Sequence, residues 1–189
     1  MGGLFSKGEP YDKPADVKSK HFDTFVDTLP SLADKTIAIT GTTTGIGYHT
    51  ALTCAKRGAS VVLLNRPSDR AAASEAELRA SVPGATFTVV SCDLTSFASV
   101  RAAAAELNAT FASSGIDVMC NNAGVMALAD AATVDGYDVQ MQTNHLSHFL
   151  LLKEIFPLLE KAAATRGEAR VVHHTSLARY GKDREREPT

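Results

Sequence analysis

The chain has 189 residues, 44% of them apolar and 21% charged, the make-up of an ordinary soluble globular protein at a length that suits one main domain. A formal charge of -2 gives no sign of the basic face that nucleic acid or an acidic membrane surface attracts, so a polyanion partner is a poor reading. Three widely spaced cysteines, Cys54, Cys92 and Cys120, form no C-x-x-C or zinc spacing and point to reduced thiols in a cytosol-like compartment.

At the N-terminus, Met1-Gly2-Gly3-Leu4-Phe5-Ser6 fits the M-G-x-x-x-[ST] pattern for myristoylation of Gly2. One acyl chain gives only marginal membrane binding, so the expected location is cytoplasmic, with weak peripheral membrane contact if Gly2 is acylated. Residues 1–33 read as an N-terminal extension holding Pro10 and Pro14. Within it Phe22, Phe25, Val26 and Leu29 fall at i, i+3, i+4 and i+7, one face of a short amphipathic helix ended by Pro30. The longest apolar stretch, Phe149 to Leu159, is broken by Lys153, Glu154 and Pro157 and falls short of the about 20 residues a membrane span needs.

From residue 34 the pattern alternates apolar strand, turn, amphipathic helix and glycine stop, the signature of βαβ units on a parallel sheet. Strands are expected at Thr36 to Thr40, Ser60 to Leu64, Thr86 to Val90, Ile116 to Cys120 and Arg170 to His174. The spacing predicts helices from about Gly45 to Gly58, from the cap Ser68 to Val82, from the cap Thr95 to Gly115, and from about Asp135 to Thr165. Pro157 should bend the last of these. The tail from Arg179 is dense in charge. The fold class is therefore α/β, with residues 34–189 forming the main domain.

Directly after the first strand come Gly41, Thr42, Thr43, Thr44, Gly45, Ile46 and Gly47, opening into a helix. Gly41 permits a tight turn, Gly45 lets backbone approach a pyrophosphate, and Gly47 allows close packing. The helix N-terminus would attract the phosphates. The spacing is G-x-x-x-G-x-G, not the commoner G-x-G-x-x-G. At the end of the second strand stand Asn65 and Arg66, where an NAD site places a carboxylate. A carboxylate would repel a 2′-phosphate and a guanidinium would bind it, so NADP is the expected cofactor.

These residues resemble the short-chain dehydrogenase/reductase family, whose glycine motif T-G-x-x-x-G-I-G matches Thr40 to Gly47. Further matches follow in family order: Asp93-Leu94, Asn121-Asn122-Ala123-Gly124, and Asn144 within Thr143-Asn144-His145-Leu146-Ser147-His148-Phe149. The stretch from Asp135 to Leu152 is similar to the retinol-dehydrogenase and protochlorophyllide-reductase-like branches, with Ser147 where glycine is usual. The resemblance implies a Rossmann-type doubly wound parallel sheet of about five strands in the order 3-2-1-4-5, incomplete at the C-terminal side. It implies that Asp93, Leu94, Asn122, Ala123 and Gly124 line the cofactor, and that Ser176 and Asn144 act in catalysis. Ser176 would hydrogen-bond the substrate oxygen, and Asn144 would hold a water in the proton relay. The reaction implied is hydride transfer between nicotinamide and a small-molecule carbonyl or alcohol, and family members often pair into homodimers through the long helix around Asn144.

Two features depart from the pattern. His173-His174 stand where asparagine or small residues are usual; on a strand they face opposite sides and cannot jointly clamp one metal. The family's Y-x-x-x-K pair is missing, because Tyr11, Tyr48, Tyr137 and Tyr180 are followed four residues later by Ala15, Leu52, Met141 and Arg184. The chain therefore reads as C-terminally truncated, and no turnover is expected from the 189 residues alone. The alternative reading is a non-catalytic dinucleotide-binding or interaction module.

Overall fold

The computed structural model describes residues 21–176; Gly2, Tyr11, Tyr180 and the charged tail lie outside the described residues. The chain divides into two compact units, residues 1–30 and 31–189. Unit one contains α1, Phe22–Thr28, whose cap Leu29 returns its amide to the Val26 carbonyl.

Unit two is a five-stranded sheet. Its strands are β1 Thr36–Thr40, β2 Ser60–Asn65, β3 Phe87–Ser91, β4 Val118–Asn121 and β5 Arg170–His173, all parallel and ordered β3-β2-β1-β4-β5. Helices α2 Gly45–Lys56, α3 Asp69–Ser81, α4 Phe97–Phe111 and α6 Ser147–Arg166 carry the crossovers. Parallel strands need such long connections, which cover both faces. On one face Ile37, Ile39, Val61, Leu63 and Phe87 pack with Ala51, Ala55 and Leu78 of α2 and α3. On the other, Ala38, Val62, Leu64, Val90 and Met119 pack with Val100 and Leu107 of α4 and Leu151, Ile155 and Leu158 of α6. The alternation along β1 and β2 divides the two cores, and both strands are buried on each side.

Several boundaries differ from the sequence reading. Ser96, not Thr95, caps α4, its hydroxyl accepting from the Ser99 amide; Thr95 is instead turned onto Asp93. β4 begins at Val118, although the Asp117 backbone already bonds the Thr36 carbonyl and the Arg170 amide. The largest correction concerns the long helix expected from Asp135. Residues 131–138 form a turn in which Gly136 has φ +83° and Ala132 bridges Asp138. Asp138 then caps a short α5, Val139–Met141, a π-helical turn spans Gln142–Leu146, and only after it does α6 run on. Pro157 lies within α6 and the helix continues through it to the left-handed cap Gly167.

Candidate functional site

The crossovers leave β1 in opposite directions, toward β2 and β3 on one side and β4 and β5 on the other. Such a switch point opens a crevice at the carboxyl ends of the central strands, between β1 and β4. The glycine segment and Asn122–Gly124 meet there. Gly41, at φ +73°, turns the chain off β1, and a methyl added to it would stand 2.8 Å from the Ala123 Cβ. The two turns are therefore in contact because Gly41 has no side chain. Gly47 packs against the Gly41 carbonyl and the Asn122 amide, so the close approach it permits is helix on loop rather than helix on sheet. Gly45, at φ +58°, faces open space. Thr44 begins α2 without a side-chain cap, which leaves the N-terminal amides to an external acceptor.

Asn65 fixes the shape of this loop. Its buried amide accepts from the Thr42 backbone N–H at 2.8 Å and donates to the Thr42 hydroxyl at 2.7 Å. The Ser74 hydroxyl of α3 takes the Thr42 carbonyl at 2.9 Å. Asn65 thus stands behind the loop that would touch a cofactor, while Arg66, next in sequence, is exposed at the strand end.

Asp93 accepts through one oxygen from the Thr95 amide and hydroxyl, at 2.9 and 2.7 Å, and its own amide donates to Ser99. Leu94 is buried. Its carbonyl accepts from the Ser147 hydroxyl at 2.6 Å, so the residue standing in place of the usual glycine joins α6 to the loop after β3. On the other side of the crevice, the Asn122 amide donates to the Thr40 and Gly41 carbonyls at 2.9 and 3.1 Å. Thr40 Oγ1 accepts from the amides of Asn122 and Ala123, both at 3.0 Å, and lies 2.9 Å from His148 Nε2.

Asn144 sits inside the π-helical turn and clasps Val125 with two bonds of 2.8 Å, Oδ1 accepting from its amide and Nδ2 donating to its carbonyl. His173 ends β5 and His174 follows it. His173 meets Asn121 and His174 meets Asn122, each at 3.2 Å. The Asn121 side-chain oxygen is buried without a hydrogen-bond partner among the described residues. Ser176 is exposed, three residues beyond β5.

Sequence reasoning quoted Thr40 and His148 within motifs but assigned them no site role, and had no signal for Ser74, because each acts on residues 32 to 108 positions away. Burial pushes the Cys54 thiol up to about 11, with a further push from Cys120, and Cys92 up to about 12, helped by the Asp93 charge. Cys120 is raised by burial as well. Raised in this way, all three thiols are held in the neutral form near pH 7. Among the described residues no group of three or more His, Cys, Asp or Glu is placed to hold a metal ion. No described helix is long and apolar enough to cross a membrane.

Fold and crevice together define a doubly wound, Rossmann-type α/β protein. The profile of the short chain dehydrogenases matches residues 35–183. An uncharacterized oxidoreductase of Schizosaccharomyces pombe is 36% identical over 157 residues, covering 82% of this chain and 45% of its own length. Human retinol dehydrogenase 13 is 34% identical over 151 residues, covering 80% of this chain and 43% of its own. The RhlG–NADP complex of Pseudomonas aeruginosa superposes with a TM-score of 0.62 at 31% identity, over 75% of this chain and 54% of that one. The chain belongs to the short-chain dehydrogenase/reductase family, in its retinol-dehydrogenase-like branch, and spans less than half the length of the two curated relatives.

Proposed function

We propose that the chain is the NADP-binding portion of an oxidoreductase that moves a hydride between nicotinamide and the carbonyl or alcohol carbon of a small lipophilic molecule. The observation that carries this is the contact of the Gly41–Gly47 turn with Asn122 and Ala123, which leaves the Gly45 backbone facing open space at an uncapped helix start. A pyrophosphate fits there: backbone amides donate to it and the helix dipole favours its charge. The bound nicotinamide supplies or accepts the hydride. Thr42, Thr43, Thr44 and Ile46 complete the phosphate turn, and Asp93 and Leu94 face the adenine side. Arg66 takes the 2′-phosphate through forked hydrogen bonds. Gly124 and Asn144 bound the nicotinamide side, and Ser176, at the end of β5, is the group that would bond the substrate oxygen. A complex with NADP in one relative and a retinol dehydrogenase name in another support the cofactor and the lipophilic substrate class.

The second reading is a dinucleotide-binding module without catalysis, which the same cradle of Gly41–Gly47 against Asn122 and Ala123 would serve. Calorimetry with NADPH and NADH tests the common part of both. Micromolar NADPH binding is expected. Arg66→Ala should weaken NADPH about tenfold to a hundredfold, the worth of a charge-assisted hydrogen bond, and leave NADH nearly unchanged. Equal losses for the two would remove the 2′-phosphate assignment, and no heat with either would remove the function. NADPH-dependent carbonyl reduction by the chain, abolished by Ser176→Ala, would decide for the enzyme over the module.

A further inference from the structure

We infer that His148 is a positioning residue for the cofactor cradle and serves only as the neutral imidazole with its proton on Nδ1. The role rests on the dinucleotide reading above, whereas the tautomer stands on hydrogen-bond supply alone. His148 is 4% exposed, so its ring nitrogens must find partners within the protein. Nδ1 lies 3.2 Å from the Asn144 carbonyl. A carbonyl only accepts, so Nδ1 carries the hydrogen and Nε2 is left as an acceptor.

Nε2 faces Thr40 Oγ1 at 2.9 Å. That hydroxyl already accepts two backbone amides, Asn122 and Ala123, which fill its two lone pairs. Its one proton must go outward, and Nε2 at 2.9 Å is the better acceptor than the Cys120 carbonyl at 3.5 Å. Every donor in the chain from Asn144 through His148 and Thr40 to the Asn122–Ala123 turn then meets one acceptor. Placing a second proton on Nε2 sets two hydrogens face to face, and Thr40 can relieve this only by releasing one of the amides it holds. The charged ring is thus incompatible with the turn that packs on Gly41 and Gly47.

The surroundings act in the same direction. Burial lowers the His148 pKa, the Asn144 carbonyl raises it, and His173 on β5 and His145 on the same helical segment lower it further; β1 contributes the uncharged Thr40 hydroxyl. The net effect is a titration below the ordinary value of about 6.5. The neutral ring, and with it the ordered turn, is present above that folded-state pKa and is lost as pH falls through it.

Nitrogen NMR of the imidazole in the ligand-free chain should show His148 as the Nδ1–H tautomer titrating below about pH 6.5; an Nε2–H tautomer overturns the inference. NADPH titration from about pH 8 to about pH 5.5, on wild type, His148→Gln and His148→Phe, tests the role. Glutamine presents an acceptor to Thr40 and does not titrate. The wild-type dissociation constant should climb by up to about tenfold per pH unit below the imidazole pKa, beyond any change in His148→Gln. The 2′-phosphate of the ligand titrates near pH 6 as well, but equally in both proteins, so the difference belongs to His148. His148→Phe should bind about tenfold more weakly than His148→Gln at every pH, since it leaves the buried Thr40 proton unmatched. Should it fail to fold, the comparison of wild type with His148→Gln still decides. Superimposable curves for those two defeat the role. A wild-type chain that binds no dinucleotide at any pH defeats the proposed function and the positioning role with it, while the tautomer is still read without ligand.

Discussion

A methyl group added at Gly47 would lie 2.1 Å from the Gly41 carbonyl oxygen and 2.4 Å from the Asn122 side-chain nitrogen, whereas one added at Gly45 meets nothing within 4 Å. The two glycines of one motif therefore answer to different measurements. Gly47→Ala pushes backbone against backbone, and overpacking of that kind costs about 1 to 3 kcal/mol, so its urea midpoint should fall clearly. Gly45→Ala has room but sits at φ +58°, a conformation costing an L-residue about 1 to 2 kcal/mol, and its methyl projects where a phosphate would sit. NADPH affinity should drop at least about tenfold with only modest loss of stability. Wild-type affinity in Gly45→Ala would show that no phosphate occupies that mouth. The motif was legible because glycine spacing is a local signal. Asn65 was legible only by position: its amide supports the loop from behind, and nothing in a sequence of one chain shows which way an amide faces.

At the scale of elements, the start of α6 does the most to join the parts. Three residues within five positions, Asn144, Ser147 and His148, reach the segments after β4 and β3 and the last residue of β1 respectively. The π-helical turn makes this spread feasible, because Ser147 N–H bonds the Gln142 carbonyl five residues back and shifts the following side chains relative to an α-helix. Asp135 and Gln142 hold the turn before it: Asp135 accepts from the Phe97 amide at 2.8 Å and from Gln142 Nε2 at 2.7 Å, joining this loop to the start of α4. Ser147 is wholly buried, and Ser147→Ala would leave the Leu94 carbonyl without its donor. We expect a loss of about 1 to 2 kcal/mol in urea unfolding and a few-fold weakening of NADPH, through the loosened Asp93–Leu94 segment. An unchanged unfolding midpoint would mean water replaces the hydroxyl. Strands and four of the helices could be read from alternating hydrophobicity, since a buried parallel strand and an amphipathic crossover leave distinct periods, whereas the strand order followed only from the family resemblance. The π-helical turn could not. Its apolar residues keep near-helical spacing, so the sequence reads one helix from Asp135 where the chain makes a glycine turn, a short helix and an offset.

Across the whole molecule, the site and the main ionic clasp occupy opposite ends of the sheet. Asp117, immediately before β4, is nearly buried. It accepts from Arg166 Nε and Nη2 at 2.6 and 2.9 Å, from Lys35 Nζ at 3.3 Å and from the Thr36 amide at 2.8 Å, while its carbonyl receives the Arg170 amide. One residue thus ties the starts of β1 and β5 to the end of α6, through its carboxylate to Lys35, Thr36 and Arg166 and its carbonyl to Arg170, while the other end of α6 reaches Leu94 and Thr40. Burial alone would raise the Asp117 pKa, but hydrogen bonds from Arg166, Thr36 and Lys35 and the Arg166 charge outweigh it and hold it below the usual carboxylate range. A depressed carboxylate stabilises the fold above its unfolded pKa of about 3.9 and loses that contribution as pH falls through the folded value. Asp117→Asn should therefore cost about 3 kcal/mol at neutral pH, the lower end for breaking a buried pair, because Arg166 keeps 24% side-chain exposure and can be hydrated. The acid limb of its stability curve should also be shallower below about pH 4 than that of wild type. Because the clasp lies at the strands' amino ends, NADPH affinity of the folded variant should match wild type; a parallel loss of affinity would mean that α6 transmits strain along its length from one end of the sheet to the other.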